Sequence, residues 1–283
     1  MRNIKYSFIA MLLISILAIS CTNKQNLKNS IKIQSLKSNK SQLDASSEIL
    51  NKRLKIIVDG DFDVKVVAQE NQIQIFYDDN WDTVQLRKLI LSKGDFALYK
   101  LHTYADVKQL IGADSSIFQL LNKLLDADSS EFVVIADLQN KKAINQILEA
   151  RNYENCKFIW SENKISSTLN LYALDVANEP TKAFVKSNMT DFKLLPEINR
   201  QTESIAFSFK GEAVQTWADY TRLNINHSLA FILEDDIISV PRIMSEIKEG
   251  RCQVSGSFDH KEANYIFTML STEVLPVEFE IVE

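Results

Sequence analysis

Few residues in this chain fall into patterns that carry out covalent chemistry. No Gly-x-Ser-x-Gly elbow, phosphate-binding Gly-rich loop, Gly-x-Gly-x-x-Gly or His-Glu-x-x-His occurs. The three histidines, His102, His227 and His260, are far apart in sequence. A Ser/His or Cys/His pair would therefore depend on tertiary placement. The densest carboxylates are Asp78-Asp79 and Glu234-Asp235-Asp236. Each could gather a cation, but each sits where the chain must turn, and Asp stabilises turns through its own backbone hydrogen bonds. The turn reading takes precedence. Trp160, Trp217 and Tyr220 could line a peptide groove, yet Trp217 and Tyr220 stand three apart on a predicted helix, a core-packing spacing. Cys156 and Cys252 lack the Cys-x-x-Cys or Cys/His spacing of a zinc site. They could form a disulfide, but two buried thiols are the expectation. The sequence thus predicts no catalytic residue, no metal site and no cofactor, which points to a binding protein and not to an enzyme.

Composition sets the class. The 283 residues are 46% hydrophobic and 24% charged, enough apolar material for one large domain or two smaller ones. With 6 Gly and 4 Pro, long Gly- or Pro-rich segments are excluded. The net charge of −5 is unevenly spread. Seven of the 32 bases (Arg2, Lys5, Lys24, Lys28, Lys32, Lys37, Lys40) precede Asp44, and none of the 37 acids does, so the body from residue 44 carries a formal −12. An acidic body argues against nucleic acid as a partner.

The N-terminus reads as an export signal. A basic start at Arg2 and Lys5 leads into an apolar run from Phe8 to Ile19, then Ser20 and Cys21. That run is short for a membrane span. Leu17-Ala18-Ile19-Ser20-Cys21 resembles a bacterial lipobox, in which the Cys becomes the acylated N-terminus. Residues 1–21 are thus expected to be a lipoprotein signal peptide, with Cys21 the lipidation site. Thr22–Gln42 is polar and Lys-rich, and residues 22–44 read as a tether. Its lysines could rest on anionic headgroups or be merely solvated. The expected location is the bacterial cell envelope, anchored by lipid, with the domain facing the periplasm or the exterior.

In the body, Ile49, Leu50, Leu54 and Ile57 form a helical stripe over Ser46–Ile57, with Ser46 or Ser47 as cap. A hairpin over Asp61–Tyr77 turns at Glu70-Asn71, a helix follows over Thr83–Ser92, and Phe96–Leu101 is a third strand. Ile117, Leu120, Leu121, Leu124 and Leu125 predict an amphipathic helix. Strands follow at Phe132–Ala136, Lys157–Trp160 and Leu169–Asp175, with a helix over Lys141–Arg151. Ala177–Arg200, with Pro180 and Pro196, reads as loops and short pieces. The rest alternates: strand Ile205–Phe209, a helix after Gly211, strands Ser228–Leu233 and Ile237–Val240, helix Pro241–Lys248 and strand Cys252–Ser255. Helix His260–Ser271 is capped by Asp259 with Glu262 three residues on, and a strand closes over Pro276–Val282. The class is α+β with mostly antiparallel sheets.

The last third carries a resemblance. Gly211, Ala230-Phe231-Ile232-Leu233-Glu234-Asp235, Ser239-Val240-Pro241, Gly250, Val254-Ser255-Gly256-Ser257-Phe258, Glu262-Ala263 and Leu275-Pro276-Val277 keep the order and spacing of a known pattern, as does Leu171-Tyr172-Ala173-Leu174. Together they resemble the first periplasmic domain of the SecD/SecDF protein-export family. The resemblance implies a ferredoxin-like base (residues 45–103 plus 259–283) with an inserted SecD-like head (104–258). Two family glycines are missing, at Ser271-Thr272-Glu273-Val274 and at Asn226-His227-Ser228. The family also continues past the residue matching Glu283 into helices that carry its proton pathway, so the resemblance implies no proton coupling here. Two functions follow as expectations. One is a lipid-anchored accessory to translocation that binds unfolded polypeptide or Sec translocon components. The alternative is a diverged paralogue, a lipoprotein binding another protein or ligand unrelated to export.

Overall fold

The structure, a computed structural model, describes residues 27–112, 116–124, 131–162, 168–177, 184–197 and 201–282. Cys21 and the whole predicted signal lie outside the described residues. In chain order the elements are β1 (Asn29–Gln34), α1 (Lys40–Ile57), β2 (Phe62–Val67), β3 (Gln72–Tyr77), α2 (Thr83–Leu91), β4 (Phe96–Leu101), α3 (Tyr104–Ile111), α4 (Ile117–Leu120), β5 (Leu121–Leu124) and β6 (Val133–Asp137). Then come α5 (Lys141–Glu149), β7 (Cys156–Glu162), β8 (Thr168–Asp175), β9 (Met189–Pro196), β10 (Glu203–Phe209), α6 (Glu212–Leu223), β11 (Leu229–Leu233), β12 (Asp236–Ser239), β13 (Arg251–Phe258), α7 (His260–Ser271) and β14 (Glu280–Val282).

Every described strand pairing is antiparallel. Three sheets result: β14-β1-β3-β2, β13-β10-β9, and a seven-stranded sheet in the order β12-β11-β4-β8-β6-β5 with β7 on the other edge of β8. One large core runs beneath the first two sheets. It joins Ile31, Ile33, Ile73 and Ile75 to Leu50 and Leu54 of α1, to Ile266 and Met269 of α7, and to Ile205 and Phe207 of β10.

The seven-stranded sheet has two different faces. Val134, Ala136, Leu171 and Ala173 pack under α3 and α5 through Val107, Ile111, Ile144 and Leu148. The alternate residues Val133, Tyr172, Leu174, Ala230 and Ile232 point the other way and cluster with Leu101 and Ile159. This sheet curls. β12 pairs only with β11, yet it returns to within 8 Å of β7, measured between Cα atoms, and encloses the second face. Strand twist accumulated over β12-β11-β4-β8-β7 accounts for such a roll.

Several boundaries follow local chemistry. Asp82 caps α2 by accepting from the N–H groups of Val84 and Gln85, and Asp259 caps α7 by accepting from Glu262 N. Asn71 turns the β2–β3 hairpin at φ 53°.

Other expectations are corrected. Residues 22–44 do not all form a tether, because β1 pairs with β3 and β14, and α1 starts at Lys40 with Asn39, not Ser46 or Ser47, as its cap. The strand Phe96–Leu101, expected within the 45–103 part of the base, is β4 and pairs with β11 and β8 in the seven-stranded sheet. The helix expected from Ile117 to Leu125 stops at Leu120, because Leu121–Leu124 pair with β6; Leu125 lies outside the described residues. Within Ala177–Arg200, β9 is an eight-residue strand along β10, with a register shift where Asp191 takes φ 57°. Pro241–Lys248 is not a helix. Ile243 N donates to His227 O, Leu229 N to Pro241 O and Ile247 N to Thr221 Oγ1, so tertiary bonds take the place of helical ones. The closing strand is confined to Glu280–Val282.

Candidate functional site

The curl leaves a seam. No other described strand pairs with the outer edges of β7 and β12, and the two face one another across a cleft of about 770 Å³. Trp160 and Ser161 of β7 form one wall, and Ile237 and Ile238 of β12 another. Phe258, at the end of β13, with Glu262, Tyr265 and Ile266 of α7, closes the base. A second cavity of about 430 Å³ adjoins it at Ser161, Ile237 and Ile238 and reaches inward to Glu131, Val133 and Tyr172.

The aromatic rings of the cleft are held in place. Trp160 Nε1 donates to Asn145 Oδ1 at 2.8 Å, and Lys141 Nζ stands 5.9 Å from the indole centroid. Tyr265 shares a 2.7 Å hydrogen bond with Ser92 Oγ and lies under Lys88 Nζ at 4.3 Å from its centroid. Burial raises its phenol pKa. Rigid rings beside free strand edges can take alternate side chains of an extended segment while the backbone pairs. Geometry limits how. Neighbouring strands lie about 4.7–4.9 Å apart, so a segment paired to both edges would need them nearly 10 Å apart. Where the edges come within 8 Å no further strand fits in the plane between them, so an added strand can pair only where the edges diverge.

The residues singled out from sequence separate accordingly. Trp160 lines this cleft. Trp217 and Tyr220 do not: their stacked rings, 6.2 Å apart, pack with Phe184, and Trp217 is buried in the main core. The histidines stay apart. His102 Nε2 meets Asn155 O at 2.8 Å, His227 Nδ1 lies 3.7 Å from Glu131, and His260 Nδ1 lies 3.1 Å from Glu203. The acidic pairs shape turns. Asp78 accepts from Asn80 N, and Asp79 binds Asn29 and Lys28, bonds that pull its carboxyl below the usual range. Asp235 reaches Lys157 at 3.2 Å in solvent. Cys156 and Cys252 are free, buried thiols, and burial pushes Cys156 up to about 12.

Sequence reasoning missed a polar knot behind the cleft. Arg53 of α1 is fully buried. Its guanidinium donates to the carbonyls of Leu89, Ser92, Lys93 and Glu273, and to Thr272 Oγ1. Beside it, Lys186 Nζ donates to Gly94 O at 3.0 Å, and the Gly94 N–H donates to the Glu234 carboxylate. Burial, then the Arg53 charge, pulls the Lys186 ammonium down to about 7, against the opposing pull of Asp95, Glu234 and Glu273. The knot ties the ends of α2 and α7, the start of β4 and the β11–β12 turn to one point. A signal for it existed: Arg53 falls four residues after Ile49 and three after Leu50, on the apolar stripe of its helix.

Residues 175–277 match the family described as SecDF, P1 head subdomain. The chain carries a SecD-like first periplasmic domain. Protein translocase subunit SecD of Leptotrichia buccalis is 39% identical over 80 residues, which cover 28% of this chain and 20% of the relative. SecD of Acidaminococcus fermentans is 32% identical over 79 residues, 28% of this chain and 19% of the relative. The matched part is thus about a fifth of those relatives' length. The SecD-like fold extends further than the sequence match. A solved SecDF structure in a super-membrane-facing form aligns over 90% of this chain and 29% of its own, with a TM-score of 0.56 at 16% identity. Another, described as a membrane component SecDF that enhances protein export, aligns over 90% of this chain and 98% of its own, with a TM-score of 0.52 at 16% identity. Among the described residues, no helix is long and apolar enough to cross a membrane.

Proposed function

We propose that this SecD-like domain is a non-catalytic, lipid-anchored binding module of the bacterial envelope that takes up extended polypeptide during protein export. The observation that carries the reading is the β7–β12 seam: two strand edges without described partners, lined by fixed aromatic rings, in a domain similar to part of an export subunit. Backbone pairing at an edge supplies affinity with little sequence preference, which suits a client met before it folds. The acylated Cys21 would hold the domain at the membrane surface. No proton-coupled step is assigned to it; its contribution is capture.

The test is photocrosslinking in cells from Ser161 and Ile238, which face the cleft, with Leu223, exposed at the end of α6 and outside the cleft lining, as control. Unfolded exported proteins or translocon components should be trapped from the first two positions and not from the third. Capture of one folded partner, with export rates unchanged on deletion, would favour a lipoprotein of another pathway. Equal trapping from all three positions would defeat the reading.

A further inference from the structure

The first sheet ends in an edge that is complementary to itself. β2 is its outermost strand, and among the described residues no other strand pairs with its outer side. A row of N–H and C=O groups without a strand beside it is a template for another strand, and folded proteins blunt such rows with bulges, short strands or charges. β2 has no bulge: all six residues, Phe62 to Val67, pair with β3 without a shift in register. Two other edges are blunted. β14 has three residues, and β9 is bent by a register shift where Asp191 takes φ 57°.

Alternation gives the β2 edge two faces. Phe62, Val64 and Val66 pair with Tyr77, Ile75 and Ile73 and point to the core, yet each is only half-buried. Asp63 and Lys65 lie on the opposite face, with Lys65 Nζ 3.4 Å from the Asp63 carboxylate and 4.7 Å from the Phe76 centroid. The outward hydrogen-bonding groups of a strand belong to alternate residues, so two antiparallel copies of β2 meet only with residues of equal parity opposite one another. With Val64 opposite Val64 on a two-fold axis, Asp63 of each copy faces Lys65 of the other, and Phe62 faces Val66. A shift of two residues either way sets Asp63 opposite Asp63 or Lys65 opposite Lys65, which is unfavourable. A lone lysine on an edge ordinarily deters pairing. Here Asp63, two residues away, converts that charge into a selector of one register. We propose that β2 is the contact surface for a second copy of this chain, joining two four-stranded sheets into one of eight strands. Opposite charges meet on the outer face of the joint and half-buried apolar side chains on its core face. Six paired residues supply about six backbone hydrogen bonds between the copies, so the association is weak and reversible. The joint lies on the first sheet and does not depend on the polypeptide reading of the seam.

The test is charge exchange across the joint, read by sedimentation of the full chain in density-matched detergent. The wild type should show a concentration-dependent monomer–dimer equilibrium. Asp63→Lys alone sets like charges opposite one another twice, as does Lys65→Asp alone, and each should weaken the dimer by about tenfold or more. The double variant carrying both changes should return to within about threefold of the wild type, because the pairs are opposite again with their signs exchanged. An equal mixture of the two single variants should form mixed dimers and few dimers of either variant with itself. That mixture also guards against misfolding, since a variant that failed to fold would not recover on mixing. A dimer indifferent to both single variants, or a single-variant loss that neither the double variant nor the mixture restores, overturns the proposal. So does a wild-type monomer at every concentration up to about 100 μM. If the backbone NMR signals of Phe62–Val67 in such a monomer shift on adding an unfolded polypeptide, the edge belongs to a client strand and not to a second copy.

Discussion

Replacing Arg53 by Met tests the knot most directly. Methionine matches the length of the aliphatic stem and fills much of the space, so the measured loss belongs mainly to the guanidinium. Five hydrogen bonds go, four of them to backbone carbonyls and three of those at partly buried sites. Bonds from a charged donor contribute about 1.5–3 kcal/mol each, so the gross loss is on the order of 10 kcal/mol. Desolvation offsets part of it. Burial lowers the Arg53 pKa to about 10, and against an ordinary value of about 12.5 that shift is roughly 3 kcal/mol held against the charged form. Water reaching the partly buried carbonyls recovers about 2–3 kcal/mol more by the same accounting. The expected net loss is about 4 kcal/mol, in the range seen when one partner of a buried charged network is removed. At roughly 2–4 °C per kcal/mol for a chain of this size, the melting temperature followed by circular dichroism should fall by about 8–16 °C. Arg53→Lys keeps the charge but lacks the planar fork, so it should lose more than half as much. A fall of less than about 3 °C for Arg53→Met would show that the buried guanidinium is nearly neutral in balance, and that core packing alone joins the three sheets.

Two further outcomes are expected. The folded pKa of Lys186 is about 7, far below its ordinary value of about 10.4, so between those values the unfolded chain holds a proton that the folded chain has shed. Stability should therefore be lowest below about pH 7 and rise above it, by up to about 1.4 kcal/mol per pH unit. Urea unfolding at pH 7 and pH 9.5 should show this rise in the wild type, and Lys186→Met should lose at least half of it; an unchanged rise would place the titration elsewhere. Gly250 has φ +67°, and a Cβ there would stand 3.2 Å from Phe209 O and 3.4 Å from Val214 Cγ2. Gly250→Ala should cost about 2 kcal/mol in urea unfolding, from the left-handed backbone and the crowding together, and a cost under about 0.5 kcal/mol would contradict this geometry.

What the sequence made legible was local. The Asp259 cap, the Asn71 turn and the alternation in β3 depend on neighbours a few residues away, and the structure places them as read. β1 is also visible in the sequence, because Ile31 and Ile33 alternate with Ser30, Lys32 and Gln34, although the surrounding lysines suit a solvated tether as well. Pro241–Lys248 shows the limit. Its proline start and following glycine fit a helix, yet Pro241 and Ile243 bond to residues 226–229 and Ile247 to Thr221, and no helix forms. The cleft was the least legible feature. Trp160 pointed to it, but a seam exists only because a sheet curls until β12 faces β7. Arg53 was visible as a charge on an apolar stripe, but its five acceptors come from segments 36 to 220 residues away.

The pairing of β1 with β14 carries a mechanical consequence. Lys32 sits opposite Val282 and Gln34 opposite Glu280, so the polypeptide flanking Asn29 and that following Val282 leave from the same end of the sheet. Tension between those two points would act across the ladder and not along it, opening its rungs one at a time beginning with Lys32–Val282. Strands loaded in this way peel at much lower force than strands loaded in shear. A pull on this sheet from both sides would thus release β14 first and leave β1, still laced to β3 from Asn29 to Gln34, as the part that holds.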